Sequence, residues 1–161
     1  MLAVIVRPAD EGDIRGLLRI EEECFGNEKF SAETVRAFIE RSDSFVLVAA
    51  LGTEVIGSAM CMIANSDREG RIASVAVLPD RRRHGTGGKL LAECEAFFER
   101  HGLARYTLEV DTMNEAAIML YISKGYEING MIENFYGAGR HAYLMVKRAP
   151  VRKRSVAVRP S

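Results

Sequence analysis

The sequence predicts a single mixed α/β (α+β) domain around a largely antiparallel sheet with one parallel crossover. Three patterns lead to this fold class. A short first strand is followed by two amphipathic helices, then by a hairpin of apolar strands, and the second half alternates strand and helix before a final strand pair. The length of 161 residues fits one domain with a sizeable core, since domains commonly contain roughly 100 to 200 residues.

Local signals place each element. Apolar runs bounded by turn residues predict strands at residues 4–7, 45–51, 55–64, 71–78, 106–110, 128–134 and 142–147. Helical spacing of apolar residues predicts helices at residues 10–24, 31–41, 87–101 and 114–124. Pro8 ends the first strand, Asp10 or Asp13 caps the first helix, Ser31 begins the second, and Gly125 closes the last.

Composition and charge limit the function. The formal charge is zero, with 22 basic and 22 acidic side chains, which argues against a nucleic-acid partner. No apolar run approaches the ~20 residues that span a bilayer, so no membrane partner is expected. The N-terminus has no charged region before its apolar run and predicts a first strand rather than a signal peptide, which favours a cytoplasmic location. Cys24, Cys61 and Cys94 have neither disulfide nor zinc spacing, so no metal is expected.

Residues 75–91, VAVLPDRRRHGTGGKLL, predict a phosphate-binding turn between a strand and a helix. Glycines let backbone N–H groups approach a ligand without an obstructing Cβ, and a helix N-terminus adds partial positive charge. The turn is not a Walker A loop, because no glycine stands five residues before Gly88 and Leu90 follows Lys89. It is not a dinucleotide fingerprint either, because Leu90 stands where that motif has its third glycine.

The pattern Arg82-x-x-Gly85-x-Gly87 in this turn resembles the pyrophosphate loop of the GNAT acetyltransferase superfamily. Residues 108–126, LEVDTMNEAAIMLYISKGY, are similar to the family's other block, with a strand ending in Leu-Glu-Val, an Asn that opens a helix, and Leu-Tyr followed by Gly-Tyr. The two blocks stand in the family's order, and the resemblance covers about residues 3–148. It is closest to the ribosomal-protein-alanine N-acetyltransferase (RimI-like) branch.

The resemblance implies the GNAT fold, with about seven strands, about four helices and a splayed central strand pair, in a domain over residues 1–148 followed by a basic tail, 149–161. It also implies acetyl-coenzyme A as cosubstrate. The binding residues would be Val75, Ala76, Val77, Arg82, Arg83, His84, Gly85, Thr86, Gly87, Gly88, Lys89 and Asn114. On the residues alone, Val75 and Val77 also fit a plain core role, and Asn114 fits a helix cap.

Two catalytic residues follow from the same resemblance. Glu109 would be the general base that takes a proton from an amine, and Tyr121 would be the acid that protonates the departing thiolate. On the residues alone, Glu109 also fits a charged position on a wet sheet face, and Tyr121 fits an aromatic side chain packed on the sheet. Cys94 lies on an apolar helix face, so a covalent acetyl-cysteine is not expected.

The expected acceptor is a primary amine, and an α-amine of a protein or peptide is the easiest to deprotonate. At pH 7 an α-amine is roughly 14% neutral and a lysine amine about 0.04%, a difference of about 3.5 kcal/mol in the cost of deprotonation. Phe25, Phe30, Tyr136 and Tyr143 are the candidate substrate-binding residues, because the corresponding segments form the peptide groove in the family's protein N-terminal acetyltransferases.

The chain departs from those enzymes in two places. It has Lys29-Phe30 where a Pro-Trp pair is frequent, and Arg140-His141 where acidic residues are common, a basic pair that would suit an acidic substrate. Two other functions therefore stay open, which are transfer to a small amine and non-catalytic binding of acyl-coenzyme A. The presence of both Glu109 and Tyr121 counts against the binding module. The sequence leaves a homodimer open.

Overall fold

The computed structural model describes residues 2–64, 66 and 68–150. The described strands are β1 (Val4–Pro8), β2 (Ser44–Leu51), β3 (Glu54–Ala64), β4 (Glu69–Val77), β5 (Arg105–Asp111), β6 (Glu127–Gly137) and β7 (Arg140–Arg148). The described α-helices are α1 (Ile14–Phe25), α2 (Ala32–Glu40), α3 (Thr86–Arg100) and α4 (Glu115–Ser123). One sheet has the strand order β1-β2-β3-β4-β5-β7-β6, in which only β4 and β5 pair in parallel. The predicted fold class is confirmed.

The central parallel pair separates part-way along its length. Register pairing between β4 and β5 ends at Ile72 and Leu108, although β4 continues to Val77 and β5 continues to Asp111. Beyond that point the two strands diverge, as the resemblance implied. The divergence leaves a gap at the centre of the sheet, between the carboxyl ends of two parallel strands.

A β-bulge on β4 lies at the point of divergence. Ala73 is the extra residue, since Ile72 pairs with Cys61 and Ser74 pairs with Met60. A bulge bends the strand that carries it and increases its local twist. β4 therefore turns away from β5, and the β5-facing edge of residues 73–77 has no strand partner in the described part of the chain.

Helices cover both faces of the sheet. Leu17 of α1 and Val35 of α2 pack on one face, against apolar side chains of β2 and β3. The other face is covered by α3, which contributes the buried residues Leu90, Leu91, Cys94, Phe97 and Phe98. α4 lies beside the first turn of α3 on that same side, because Leu120 is the side chain nearest to Gly87.

Polar caps fix where the helices begin. Ser31 accepts a hydrogen bond from the backbone three residues later at 3.1 Å, and Asn114 Oδ1 accepts one from the N–H of Ala117 at 3.2 Å. Asp10 forms a capping box with Asp13 on a short 3-10 turn ahead of α1. The predicted caps at Ser31 and Asn114 are confirmed, and of the two candidates ahead of α1 it is the Asp10 side chain that makes the cap bond.

A glycine on β4 leaves room for a core ring. A Cβ at Gly70 would lie 2.4 Å from Cγ of Phe98, whose side chain is fully buried. We expect Gly70→Ala to lower the free energy of unfolding in urea by about 3 kcal/mol, since a packed core cannot move the ring aside. Gly130→Ala on β6 is the matched control, because a Cβ there would meet nothing within 4 Å. Equal stability of the two variants would contradict this packing.

Part of the predicted domain organisation concerns residues that the structure does not describe. The basic tail, residues 149–161, falls outside the described residues except for Ala149 and Pro150, so its boundary stays a prediction. Among the helices that are described, none has the length and apolarity needed to cross a membrane. Within the same residues the cysteines are free, and no group of three His, Cys, Asp or Glu side chains could hold a metal ion.

Candidate active site

The gap between β4 and β5 opens into two connected clefts. The central cleft, of about 690 Å³, is lined by α1, the segment after it, the diverging strand ends and β6. The loop groove, of about 560 Å³, extends from the free edge of β4 over the Gly-rich turn to α4. Both are lined by the same six residues, Cys24, Phe25, Val75, Asn114, Ala117 and Tyr121. A ligand in the loop groove would therefore end where the central cleft begins.

The loop groove is built around the start of α3. Gly85 precedes the helix in the left-handed conformation, with φ of 79°, which a residue with a Cβ adopts only under strain. The N–H groups of Thr86, Gly87 and Gly88 come before the first intrahelical bond, which Lys89 donates to the carbonyl of Gly85 at 3.1 Å. Free N–H groups at the positive end of a 15-residue helix form a binding site for an anion such as phosphate.

Arg82 fastens this turn to its neighbours. Its Nε donates a hydrogen bond to the carbonyl of Val77 at 2.9 Å, and its Nη2 lies 3.9 Å from Sγ of Cys24. Arg83, the residue after Arg82, has a positive φ of 70°, and Gly85 has a positive φ as well. Strained backbone of this kind persists where the surrounding structure holds it and is frequent at ligand sites. Both arginines line the loop groove.

Most of the predicted cofactor residues come together in the loop groove. The ones that line it are Val75, Ala76, Val77, Arg82, Arg83, Gly85, Thr86, Gly87, Gly88 and Asn114. His84 and Lys89 line neither cleft and are exposed. The resemblance implied cofactor contacts for both residues, and the geometry of the groove gives these contacts no support.

Tyr121 lies where the two clefts meet. It belongs to the last turns of α4 and is 8% exposed. Burial raises the pKa of its phenol well above the ordinary value, with smaller contributions from Cys94 and Tyr136. Its hydroxyl forms no hydrogen bond with any described residue. A neutral tyrosine with a free hydroxyl at this junction is chemically able to donate a proton.

Glu109 lies on the wall of the central cleft. Its strand neighbours Leu108 and Val110 belong to the α3-side core, whereas the Glu109 carboxylate accepts a hydrogen bond from Nε of Arg71 at 3.2 Å. The Glu109 side chain is 16% exposed. The ion pair with the neighbouring strand holds the carboxylate in one orientation beside the cleft.

The predicted substrate residues divide into two groups. Phe25, Phe30 and Tyr136 line the central cleft. Burial, together with the nearby carboxylates of the cleft, raises the pKa of Tyr136 to about 12. Tyr143 lines neither cleft, because it pairs with Val110 across β7 and β5 and packs with it on the α3-side core. Its place on the opposite face from Glu109 gives no support to a substrate contact.

Arg140 joins two walls of the central cleft, a contact that the sequence did not predict. Its guanidinium pairs with Glu28 from the segment after α1 and with Oδ2 of Asp111 at 3.0 Å, and it lies 5.6 Å from the ring centre of Tyr136. The two carboxylates neutralise Arg140, so it is not a free basic site for an acidic substrate. Glu28 and Arg140 are 112 residues apart, and no local pattern links them.

The charges around the central cleft favour a cation. The acidic residues that line it are Glu21, Glu28, Glu109 and Asp111, and the basic ones are Arg71 and Arg140. Four acidic against two basic side chains leave a formal excess of two negative charges. A cleft with a net negative charge attracts a ligand of the opposite sign, such as a protonated amine.

Comparison with known proteins identifies the family. Residues 14–126, most of the chain, match the sequence profile of the acetyltransferase (GNAT) family. The chain belongs to the GNAT family. This places it among the N-acetyltransferases, a class of acyltransferase, and confirms the resemblance of the two sequence blocks.

Three relatives are named as acetyltransferases. The chain is 37% identical over 79 residues to an N-alpha-acetyltransferase of Sulfurisphaera tokodaii, covering 48% of this chain and 47% of that protein. It is 27% identical over 149 residues to an uncharacterized N-acetyltransferase of Methanocaldococcus jannaschii, covering 91% and 93%. It is 38% identical over 68 residues to the ribosomal-protein-alanine N-acetyltransferase of Escherichia coli, covering 42% and 46%. The chain thus spans about half the length of two of these relatives.

Solved structures share the whole fold. The Escherichia coli ribosomal-protein-alanine N-acetyltransferase superposes with a TM-score of 0.79 at 22% identity, covering 93% of this chain and 98% of that one. An aminoglycoside 6'-N-acetyltransferase complexed with coenzyme A superposes with a TM-score of 0.82 at 17% identity, covering 98% and 99%. At these identities the likeness extends to the fold alone. The structures that share the fold include one enzyme named for a protein acceptor and one named for a small-molecule acceptor.

The loop groove fits acetyl-coenzyme A, the acetyl donor of GNAT enzymes. The N–H groups at the start of α3 suit the diphosphate, and Arg82 and Arg83 add positive charge. The unpaired edge of residues 73–77 presents backbone groups that suit the amides of a pantetheine chain. When bound, the cosubstrate supplies the acetyl group as a thioester.

Gly87 gives a direct test of this fit. We expect Gly87→Val to weaken binding of acetyl-coenzyme A by more than about tenfold, because the added side chain fills the groove beside Leu120. Isothermal titration calorimetry measures the affinity. Ala92→Val, on an exposed position of α3, is the control for placing a β-branched residue in this helix. Unchanged affinity in Gly87→Val would contradict the assignment.

Proposed function

We propose that this protein transfers the acetyl group of acetyl-coenzyme A to the α-amine of a protein or peptide. The observation that carries the proposal is the meeting of the two clefts at Tyr121. The loop groove suits the donor and the central cleft suits a cationic acceptor. The Glu109 carboxylate lines the central cleft, and the Tyr121 phenol lines both clefts. The proposal extends to residues 1–148 as the catalytic domain.

Each residue has one task in the proposed reaction. Glu109 accepts a proton from the acceptor amine, so that the nitrogen lone pair can form a bond to the thioester carbonyl carbon. The bond from that carbon to sulfur then breaks. Tyr121 gives its phenolic proton to the departing sulfur and takes up the second proton that the nitrogen loses as it becomes an amide, which restores the phenol. Burial favours the protonated phenol. Asn114 caps the helix that carries Tyr121 and fixes its position at the junction.

A ternary complex fits the residues better than an acetylated enzyme. Cys94, in the middle of α3, is fully buried, and the pKa of its thiol is raised well above the ordinary value by a hydrogen bond with Cys61 and by burial. A thiolate is the nucleophilic form, so this cysteine is inert. Cys24 lies at the junction, but burial raises the pKa of its thiol as well. Direct attack by the amine needs neither.

The α-amine is the acceptor that this site can serve at lowest cost. Removing the proton from a lysine amine costs about 3.5 kcal/mol more than from an α-amine at neutral pH, and Glu109 is already engaged by Arg71. The aromatic residues Phe25, Phe30 and Tyr136 give the cleft apolar surface for the first residues of a peptide. The alanine N-acetyltransferase among the relatives has an acceptor of this kind in its name.

Initial-rate kinetics test the mechanism. With acetyl-coenzyme A and a peptide varied together, we expect intersecting reciprocal plots and release of coenzyme A thiol only when the acceptor is present. Parallel plots, or a burst of thiol before acceptor is added, would indicate a covalent intermediate and contradict direct attack. A panel with polyamines, amino acids and aminoglycosides separates the second candidate, transfer to a small amine. The cytoplasmic location and a homodimer stay predictions.

A further inference from the structure

A buried carboxylate on α1 lines the central cleft and has no task in the reaction above. Glu21 is only 1% exposed. Its Oε2 accepts a hydrogen bond from the N–H of Phe30 at 3.0 Å. Its Oε1 is buried without a hydrogen-bond partner among the described residues, and no basic side chain in that part of the chain pairs with it. Glu21 is thus an uncompensated charge at the wall of the cleft.

The free-energy cost of burying the unpaired Glu21 carboxylate indicates that its negative charge has a function. A glutamine would accept the same hydrogen bond from Phe30 without a buried negative charge, and burying an unpaired carboxylate costs free energy. Burial raises the pKa of the Glu21 carboxyl, because the loss of hydration that makes the buried carboxylate unfavourable favours its protonated form. A residue that is locally unfavourable at a cleft wall is expected where the ligand supplies what is missing.

A second unpartnered polar atom lines the same cleft. Ser74 follows the bulge of β4, and its Oγ is buried without a partner in the described part of the chain. Glu21 on α1 and Ser74 on β4 both line the central cleft. Oε1 of Glu21 and Oγ of Ser74 each lack a hydrogen-bond partner in the described part of the chain. A primary ammonium group brings three N–H donors and a positive charge.

We propose that Glu21 makes the central cleft selective for acceptors that arrive as ammonium cations. The inference rests on the proposed function and deepens it. The charge of Glu21 acts on the acceptor through the low-dielectric wall of the cleft, which does not require a direct bond to Oε1. The cation is held on the α1 side until its proton passes from the nitrogen to the Glu109 carboxylate. Glu21 is thereby a specificity-determining residue, distinct from the base.

Phe30 provides a reporter for a binding test that does not depend on acetyl transfer. Its amide hydrogen is bonded to Glu21, so its NMR chemical shift responds to charge placed near that carboxylate. L-alaninamide is the cationic probe, because its α-amine is mostly protonated at about pH 7. Lactamide, which has a hydroxyl group in place of the amine, is the neutral probe. Each is titrated into the wild-type chain, Glu21→Gln and Glu22→Gln.

The expected result is a saturating shift of the Phe30 amide with L-alaninamide and not with lactamide. Glu21→Gln should weaken this binding by about tenfold or more, whereas Glu22→Gln, which removes an exposed carboxylate paired with Lys29 on the same helix, should leave it within about twofold. The thermal midpoint of Glu21→Gln should be unchanged or raised, because the Gln keeps the bond to Phe30 and removes the buried charge.

Three outcomes would overturn the proposal. They are equal binding in wild type and Glu21→Gln, no shift with L-alaninamide in wild type, and a loss accompanied by shifts throughout the Glu21→Gln spectrum, which would assign Glu21 to folding alone. A failure of the proposed function is distinguishable. It would appear as absent thiol release from acetyl-coenzyme A while amine binding and its dependence on Glu21 remain.

Discussion

The Glu109→Gln variant is expected to have a kcat about 10²-fold below that of the wild type at pH 7. Gln has nearly the same shape and can still accept the hydrogen bond from Arg71, but it cannot take a proton from the amine. The KM for acetyl-coenzyme A should stay within a few fold, because Glu109 lines the central cleft and not the loop groove. Thiol release measured under saturating acceptor gives kcat directly.

The dependence on pH separates a base from a merely structural carboxylate. As pH rises toward the pKa of the α-amine, about 7.8, the acceptor loses its proton to water and the defect of Glu109→Gln should shrink. Glu133→Gln, on the exposed face of β6, removes the same charge from the same sheet and should leave kcat unchanged at every pH. A small loss in Glu109→Gln that does not vary with pH would assign deprotonation to another group.

The Tyr121→Phe variant is expected to lose about 10²-fold in kcat while its affinity for acetyl-coenzyme A stays within a few fold. The hydroxyl has no hydrogen-bond partner among the described residues, so its removal should not affect the fold. Tyr106→Phe is the matched control, because Tyr106 is a buried tyrosine of β5 that lines neither cleft. Full kcat in Tyr121→Phe would leave Tyr121 with a packing role alone.

The raised pKa of Tyr121 adds a pH prediction to the same variant. An ordinary tyrosine is half ionised at about pH 10, and an acid that loses its proton can no longer serve the leaving thiolate. Because burial raises the pKa of Tyr121, the wild-type enzyme should show no loss of kcat from this residue up to about pH 10. A clear fall in kcat below that pH, absent in Tyr121→Phe, would contradict a buried, protonated phenol.

Local signals in the sequence were sufficient for most of the fold and for the loop groove. A cap such as Ser31 is encoded within a few residues, and the left-handed Gly85 ahead of α3 is a property of the turn itself. The resemblance of two blocks then related these segments to one another. Most predictions that depend on neighbours in sequence are therefore ones that the structure supports, and His84 and Lys89, which line neither cleft, are exceptions.

A prediction of the central cleft would have required the register between strands that are distant in sequence, which the sequence does not show. The extra residue Ala73 sets where β4 leaves β5, and no residue type marks that position. Tyr143 was expected beside the acceptor, but its pairing with Val110 turns it to the other face, and a shift of one residue would have reversed this. No local pattern marks Glu21, because its partner Phe30 lies nine residues later and folds back onto it.

The most direct test of the central claim uses one peptide in two forms. One form has a free α-amine and an acetylated lysine, and the other has an acetylated N-terminus and a free lysine. With acetyl-coenzyme A and the purified chain, we predict thiol release and one added acetyl group, located by fragment mass spectrometry on the first residue, for the first form only. Acetylation of the lysine form at an equal or greater rate, or no release above the acceptor-free control with either form, would contradict the account.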